Sequence, residues 1–511
     1  MAAGVGMELS LIKYTLAMFL MYPLAAILRV LPGTTVKHAF SAVVGIVAVQ
    51  WIFEGDWIHS MASAVGTYLI CLLAPKKSVG LLSFVWVMGY MTLSHWYRMH
   101  VSYMSGVFDF TGTQMVLTMK LTSFAWNYWD GTADRAAVFS DKDEKTIQRN
   151  KERRRLAITE LPGPLEFLGY VFCFTCLLAG PAFEFKDYAS AIDGSAYVFN
   201  PAAAAAAADK KDKKDESKLP SSSSSSTTTT APSSVLPALT SLGVGLLCLV
   251  LKLTVGASLP LVTSRSGGKN MVPYDMEPTI SSAAYLAAYP HPLRRLAQVL
   301  ALLLVERWKY YFAWKVAEGS CQLAGFGFEG FDPATGRAKG WGGVTNIDIF
   351  SFETSWSIAS LSRAWNKGTQ RWLALYTYSR TGNSLLITYF VSAFWHGLYP
   401  GFYIFFMSLP LVTECERLAR QKLNPIFIPT YDHKEPWKSF PYDFKSIVYA
   451  TASYVTFFPL MNYLVSTFAL GSLENCHRAL SSYWYAPNIL LVLYWLFLLL
   501  LPAPKSLKKK E

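Results

Sequence analysis

Eight histidines occur in this 511-residue chain, and one of them stands where a general base would be useful. His396 lies near the middle of Ser384 to Leu409, a stretch of 26 residues with no other ionisable group apart from tyrosines. An ionisable side chain at membrane depth is costly to bury unpaired, so it marks a candidate functional site. The bland alternative is a neutral imidazole bridging two helices. Pro400, four residues on, lacks the N–H that would bond the His396 carbonyl, and Gly397 and Gly401 weaken the helix around it. Freed backbone in a bilayer is tolerated only where protein or a water-filled cavity receives it. The spacing therefore predicts that His396 faces a cavity and that Pro400→Ala would straighten the turn at the cost of base positioning. A neutral histidine, with a reference pKa of about 6.5, could take a proton from a hydroxyl as that oxygen attacks a thioester carbonyl.

Such a site also needs a donor for the developing oxyanion, or a partner that orients the base. The run Trp365, Asn366, Lys367, Gly368, Thr369, Gln370, Arg371 and Trp372, thirty residues upstream, supplies candidates, and Asn366 is preferred because its amide donates and accepts without titrating. Its bland reading is a surface loop amide. The remaining histidines have ordinary placements: His38, His59, His291, His433 and His477 near span ends or in loops, and His95 and His100 flanking Arg98 at the end of a span. No Gly-x-Ser-x-Gly elbow, phosphate-cradling Gly-Lys-Ser/Thr loop or His-Glu-x-x-His helix competes, which argues against hydrolase and nucleotide-motor readings.

The elements that must position these groups are transmembrane helices. Hydrophobic residues make up 52% of the chain, while charged residues are only 16%, against about 25% in soluble domains. Windows long enough to cross a bilayer fall near 9–31, 36–53, 58–74, 79–95, 105–127, 162–180, 235–262, 293–316, 384–409, 447–470 and 482–502. The first reads as an anchor because Glu8 rather than a basic run precedes it. The net charge of +12 lies in short clusters between spans, and no zinc-ligand spacing accompanies it, so membrane topology explains it better than nucleic acid. The basic run from Lys142 to Arg155 and the tail Lys505, Lys508, Lys509 and Lys510 are expected in the cytosol. Seven scattered cysteines imply no disulfide framework, and the Cys173/Cys176 pair reads as buried thiols. Residues 201–234, rich in Ala, Lys, Ser and Thr, read as a disordered linker between an N-terminal helical region, 1–200, and a C-terminal one, 235–511. From Gly319 to Arg371 the Gly-, Trp- and Phe-rich chain predicts short helices and loops.

At Trp365-Asn366 and Trp395-His396-Gly397 the chain resembles the membrane-bound O-acyltransferases, and within them the lysophospholipid acyltransferases. Lys309-Tyr310-Tyr311-Phe312-Ala313-Trp314 with Ala317-Glu318-Gly319, Phe326-Gly327-Phe328 through Trp372, Tyr97-Arg98 through Tyr103, and Gly180-Pro181 with Phe183-Glu184 and Tyr188 look similar too. The resemblance implies an all-α polytopic bundle of about 11 transmembrane helices around a catalytic tunnel. It implies transfer of a fatty acyl group from acyl-CoA, as co-substrate and with no cofactor or metal, to the free sn-2 hydroxyl of a lysophospholipid. His396 falls on the family's catalytic histidine and Asn366 on its paired asparagine, with Tyr310, Tyr311, Glu318, Trp365, Trp395 and Gly397 as tunnel or substrate-binding residues. The linker departs from the family pattern as an insertion. Lys508 and Lys509 resemble a dilysine retrieval signal, which implies an endoplasmic reticulum membrane protein with a cytosolic C-terminus. The same-family alternative is acylation of a sterol, diacylglycerol or protein. From another class the alternative is a transporter, which would favour repeated halves with paired broken helices.

Overall fold

The computed structural model describes residues 9–104, 108–132, 144–199, 231–258, 280, 283–332, 335–428 and 444–502. Residues 201–230 of the linker, the basic residues before 144 and the lysine tail lie outside the described residues. In chain order the helices are α1 (Leu9–Val30), α2 (Thr34–Phe53), α3 (Trp57–Leu73), α4 (Val79–Val101), α5 (Thr111–Thr132), α6 (Glu144–Leu156), α7 (Pro164–Val171), α8 (Phe174–Leu177), α9 (Phe185–Asp193) and α10 (Val235–Ser258). They continue with α11 (Ala283–Ala288), α12 (Pro292–Ala324), α13 (Ile349–Glu353), α14 (Ile358–Ala364), α15 (Lys367–Tyr376), α16 (Leu385–His396), α17 (Pro400–Lys422), α18 (Asn424–Phe427), α19 (Phe444–Leu470), α20 (Leu473–Ser481) and α21 (Ala486–Leu500). Among the described residues the chain is all-helical apart from one isolated bridge, Phe331 to Ala338.

Three stretches of the described residues are long and apolar enough to cross a membrane: Leu9–Val30, Thr34–Leu73 and Val235–Gly256. A fourth forms if α20 and α21, bent by 76°, count as one span. Other apolar windows are interrupted or carry polar residues inward. α5 is the clearest case, since Thr111, Gln114, Thr118, Lys120, Thr122, Asn127 and Asp130 on it are all buried. A helix polar on its protein-facing side is stable only when other helices surround it, because lipid offers its polar groups no partner. α4, α7, α15 and the ion pairs described below enclose it.

The predicted span 162–180 is two short helices, α7 and α8, separated at Phe172 and Cys173. Buried Lys120 explains how the break survives. Its ammonium donates to the carbonyls of Tyr170 and Val171 at the end of α7, and lies 3.2 Å from Sγ of Cys176. The Cys173 and Cys176 thiols are free and buried there. At one end of α5, Asp130 accepts two arginines: Arg153 from α6 at 2.6 Å and Arg380 at 2.7 Å. The Arg380 guanidinium also covers the Trp126 ring at 4.1 Å. These contacts tie α6 and the segment after α15 to α5.

Candidate active site

The stretch 384–409 is not one helix. α16 ends at His396, and α17 begins at Pro400. The sequence placed a break here on Pro400 together with Gly397 and Gly401, and the structure assigns it to Gly397 rather than to the proline. Pro400 is the first residue of α17, where a missing N–H costs nothing. Gly397 makes the break: its φ of 135° with ψ of −165° is open to glycine and essentially closed to other residues. A side chain there would also reach within 3.3 Å of the Phe402 ring and 3.4 Å of Nδ1 of His95.

The break leaves His396 on the last turn of α16, partly buried among aromatic rings. Phe406 lies 4.8 Å away between centroids, Phe468 of α19 5.1 Å, and Trp395 4.6 Å. His396 Nδ1 lies 2.7 Å from the carbonyl oxygen of Ser392. A carbonyl only accepts, so Nδ1 carries the proton and Nε2 keeps its lone pair. The backbone of the preceding turn therefore selects the tautomer a general base needs, with no carboxylate in hydrogen-bond contact with the ring among the described residues.

Trp395, the residue before His396, is held from two sides. Its indole N–H donates to the Met115 carbonyl of α5 at 3.0 Å, and its own carbonyl oxygen lies 3.1 Å from Nε2 of His95 on α4. Its ring packs on Trp372 of α15 at 5.8 Å, and the Trp372 indole donates to Thr122 of α5. His95 was assigned by sequence to the edge of a span. It is instead buried against the end of α16. His38, read as wet, is likewise buried, with Nδ1 3.0 Å from the Tyr188 hydroxyl.

Asn366 precedes α15 with φ 44° and ψ 55°, the left-handed region that asparagine tolerates better than most residues. It does not cap the helix with its side chain. That task falls to buried Asn346, whose backbone carbonyl accepts from Lys367 N–H and whose Oδ1 accepts from Gly368 N–H at 3.0 Å. The carboxamide of Asn366 is not used for the cap: its Oδ1 accepts from the Thr369 hydroxyl at 2.9 Å. The Thr369 hydroxyl also lies 3.3 Å from Met119, one turn along α5 from the Met115 carbonyl that holds Trp395. Thr369, which holds Asn366, and Trp395, which precedes His396, therefore both contact α5, at Met119 and Met115. No hydrogen bond joins the two side chains among the described residues.

Trp365, immediately before Asn366, sits in a ring cluster with Tyr310, Tyr311 and Trp314 of α12 and Phe352 of α13, at 4.8 to 6.1 Å between centroids. The Tyr311 hydroxyl donates to Glu353, which forms a two-point pair with Arg307, and Arg307 reaches Asn462 of α19. Tyr311 is therefore anchored in the packing, whereas Tyr310 remains partly exposed. Glu318 is buried farther along α12, paired with Lys315 at 3.0 Å and accepting from Ser241 and Thr345. No hydrogen bond or ring contact links Glu318 to His396 among the described residues. Outside the spans, Glu152 of α6 is paired to Arg155 and to Arg371 of α15. Burial pushes its carboxyl up, but the two guanidiniums overcome this and hold it below the usual carboxylate range.

The sequence profile of the membrane-bound O-acyltransferase family matches residues 98–442, more than half of the chain and spanning both Asn366 and His396. The chain is 28% identical over 485 residues to the lysophospholipid acyltransferase of Schizosaccharomyces pombe, covering 92% of this chain and 83% of that one. It is 28% identical over 440 residues to the lysophospholipid acyltransferase of Saccharomyces cerevisiae, covering 83% of this chain and 64% of that one. To the human membrane-bound glycerophospholipid O-acyltransferase 2 it is 28% identical over 478 residues, covering 93% of this chain and 81% of that one.

Proposed function

Since the chain belongs to the membrane-bound O-acyltransferase family, we propose that it is a lysophospholipid acyltransferase that moves a fatty acyl group from acyl-CoA to the free sn-2 hydroxyl. His396 Nε2 takes the hydroxyl proton as that oxygen attacks the thioester carbonyl. The Nδ2–H of Asn366 donates to the tetrahedral oxyanion. Collapse expels the CoA thiolate, the imidazolium returns the proton to sulfur, and the free enzyme is restored. The observation that carries this reading is the commitment of His396 Nδ1 to the Ser392 carbonyl, which leaves Nε2 as the one basic atom of that ring.

The same reading takes about 11 transmembrane helices around a tunnel, in keeping with a hydrocarbon layer roughly 30 Å thick. Acyl-CoA enters from the cytosol, the lysophospholipid arrives from the bilayer, and the protein resides in the endoplasmic reticulum membrane with its C-terminus cytosolic. Tyr310 and Trp365 line the approach to Asn366, Trp395 and Gly397 set the base, and Glu318 contributes to substrate positioning through the loop that holds Thr345. Microsomes from cells expressing the protein, given labelled acyl-CoA and a panel of lysophospholipids, diacylglycerol and sterol, test the assignment. Labelled phospholipid is expected. His396→Ala should abolish it at normal protein level, and Asn366→Ala should cost about 10²–10³ in rate, as loss of one oxyanion donor does. Label in sterol or diacylglycerol alone would refute the substrate class, and an active His396→Ala would remove the base.

A further inference from the structure

The end of α16 leaves carbonyl oxygens that no later helical N–H can reach, and at this depth each needs a protein partner. Ser392 O, still inside the helix, also accepts from His396 Nδ1, and Ala393 O accepts from the N–H of Gly397. Trp395 O, one residue before the base, points across to α4, where His95 Nε2 lies 3.1 Å away. Because a carbonyl cannot donate, His95 is the donor, and its other nitrogen, Nδ1, lies 3.4 Å from where a Cβ on Gly397 would stand. His95 thus packs against the residues that precede and follow His396. α4 is itself pinned to the start of α5, since Arg98, three residues after His95, pairs with Asp109 at 3.0 Å and donates to Thr111. α5 in turn holds the Trp395 indole.

We propose that His95 is a positioning residue of the acyl-transfer site: its Nε2–H bond to the Trp395 carbonyl fixes the last turn of α16 so that His396 Nε2 meets the attacking hydroxyl. This rests on the reading of His396 as the base. His95 touches neither substrate nor reacting atoms. Its contribution is geometric, and a displacement near 1 Å of a catalytic group can cost about 100-fold in rate.

The test compares His95→Ala, His95→Gln and His95→Asn with His396→Ala in one membrane assay, with kcat and KM measured for both acyl-CoA and the lysophospholipid. The glutamine amide can place an N–H about where Nε2 stands, whereas the shorter asparagine cannot. His95→Ala and His95→Asn are expected to lose about 30- to 100-fold in kcat with both KM values within about threefold of wild type, and His95→Gln to recover most of the loss. Activity in His396→Ala would sink the underlying base assignment. An inactive His396→Ala beside a His95→Ala with kcat within about threefold of wild type would overturn the inference about His95 alone. A rise in KM without loss of kcat would also overturn it, since His95 would then bind substrate. If His95→Ala fails to accumulate, the Gln and Asn pair decides: equal impairment in two well-folded proteins refutes the hydrogen-bond role.

Discussion

Replacing Gly397 by alanine tests the geometry of the break directly. At φ 135° and ψ −165° a non-glycine residue costs about 1–3 kcal/mol. The added Cβ would also lie 3.3 Å from the Phe402 ring and 3.4 Å from His95 Nδ1, closer than most carbon contacts. Two responses are open to the chain. If the backbone holds, the protein bears that strain and its thermal stability in detergent falls. If φ relaxes to a negative value, the chain leaves α16 in another direction, and His396, one bond earlier, moves with it. A displacement near 1 Å corresponds to about 100-fold in rate. We expect kcat of Gly397→Ala to fall by at least about 30-fold with KM little changed, measured as initial acyl transfer in microsomes and normalised to protein level. Gly89→Ala on α4 is the control, since a Cβ there meets nothing within 4 Å. Gly397→Ala with turnover within about threefold of wild type and unchanged melting would refute the claim that this glycine sets the base.

Pro400→Ala, which the spacing in the sequence marks as severe, is expected to keep activity within about threefold and stability near wild type, because proline at the first position of α17 withholds no needed N–H; a tenfold loss of turnover would restore the original argument. Asp130→Asn leaves Arg153 and Arg380 buried without their shared carboxylate, and breaking such a pair costs about 3–5 kcal/mol. Fluorescence-detected gel filtration after heating should show a clearly lower melting point, and an unchanged one would mean that water or lipid phosphate compensates the arginines. Deleting Ala203 to Thr230 should leave specific activity largely intact, because its composition supports neither core nor site; loss of turnover at normal abundance would assign the segment a gating role.

His396 stands out in the sequence as a candidate because a lone ionisable group in a long apolar stretch is anomalous whatever surrounds it. The helical character of the chain followed from apolar run length, and the family from an ordered set of local motifs, all of which are properties of neighbouring residues. Asn366 was legible as a type of donor, but its release from capping depends on Asn346, twenty residues earlier in sequence and adjacent only in the fold. Pro400 drew attention because proline inside a helix is disruptive, and only the structure shows that the helix had already ended. Which nitrogen of His396 can act as base rests on a carbonyl one turn away, a contact that exists only because α16 keeps its helical geometry to its last residue. His95 lay beyond sequence reasoning altogether: it meets Trp395 across 300 residues of chain, and no periodicity within α4 distinguishes a histidine wet at a span end from one buried against another helix. Local pattern determines which segments are helical and where polarity is out of place. The pairing of those segments follows from burying many side chains at once, so the partners of each polar atom are decided only in the assembled bundle.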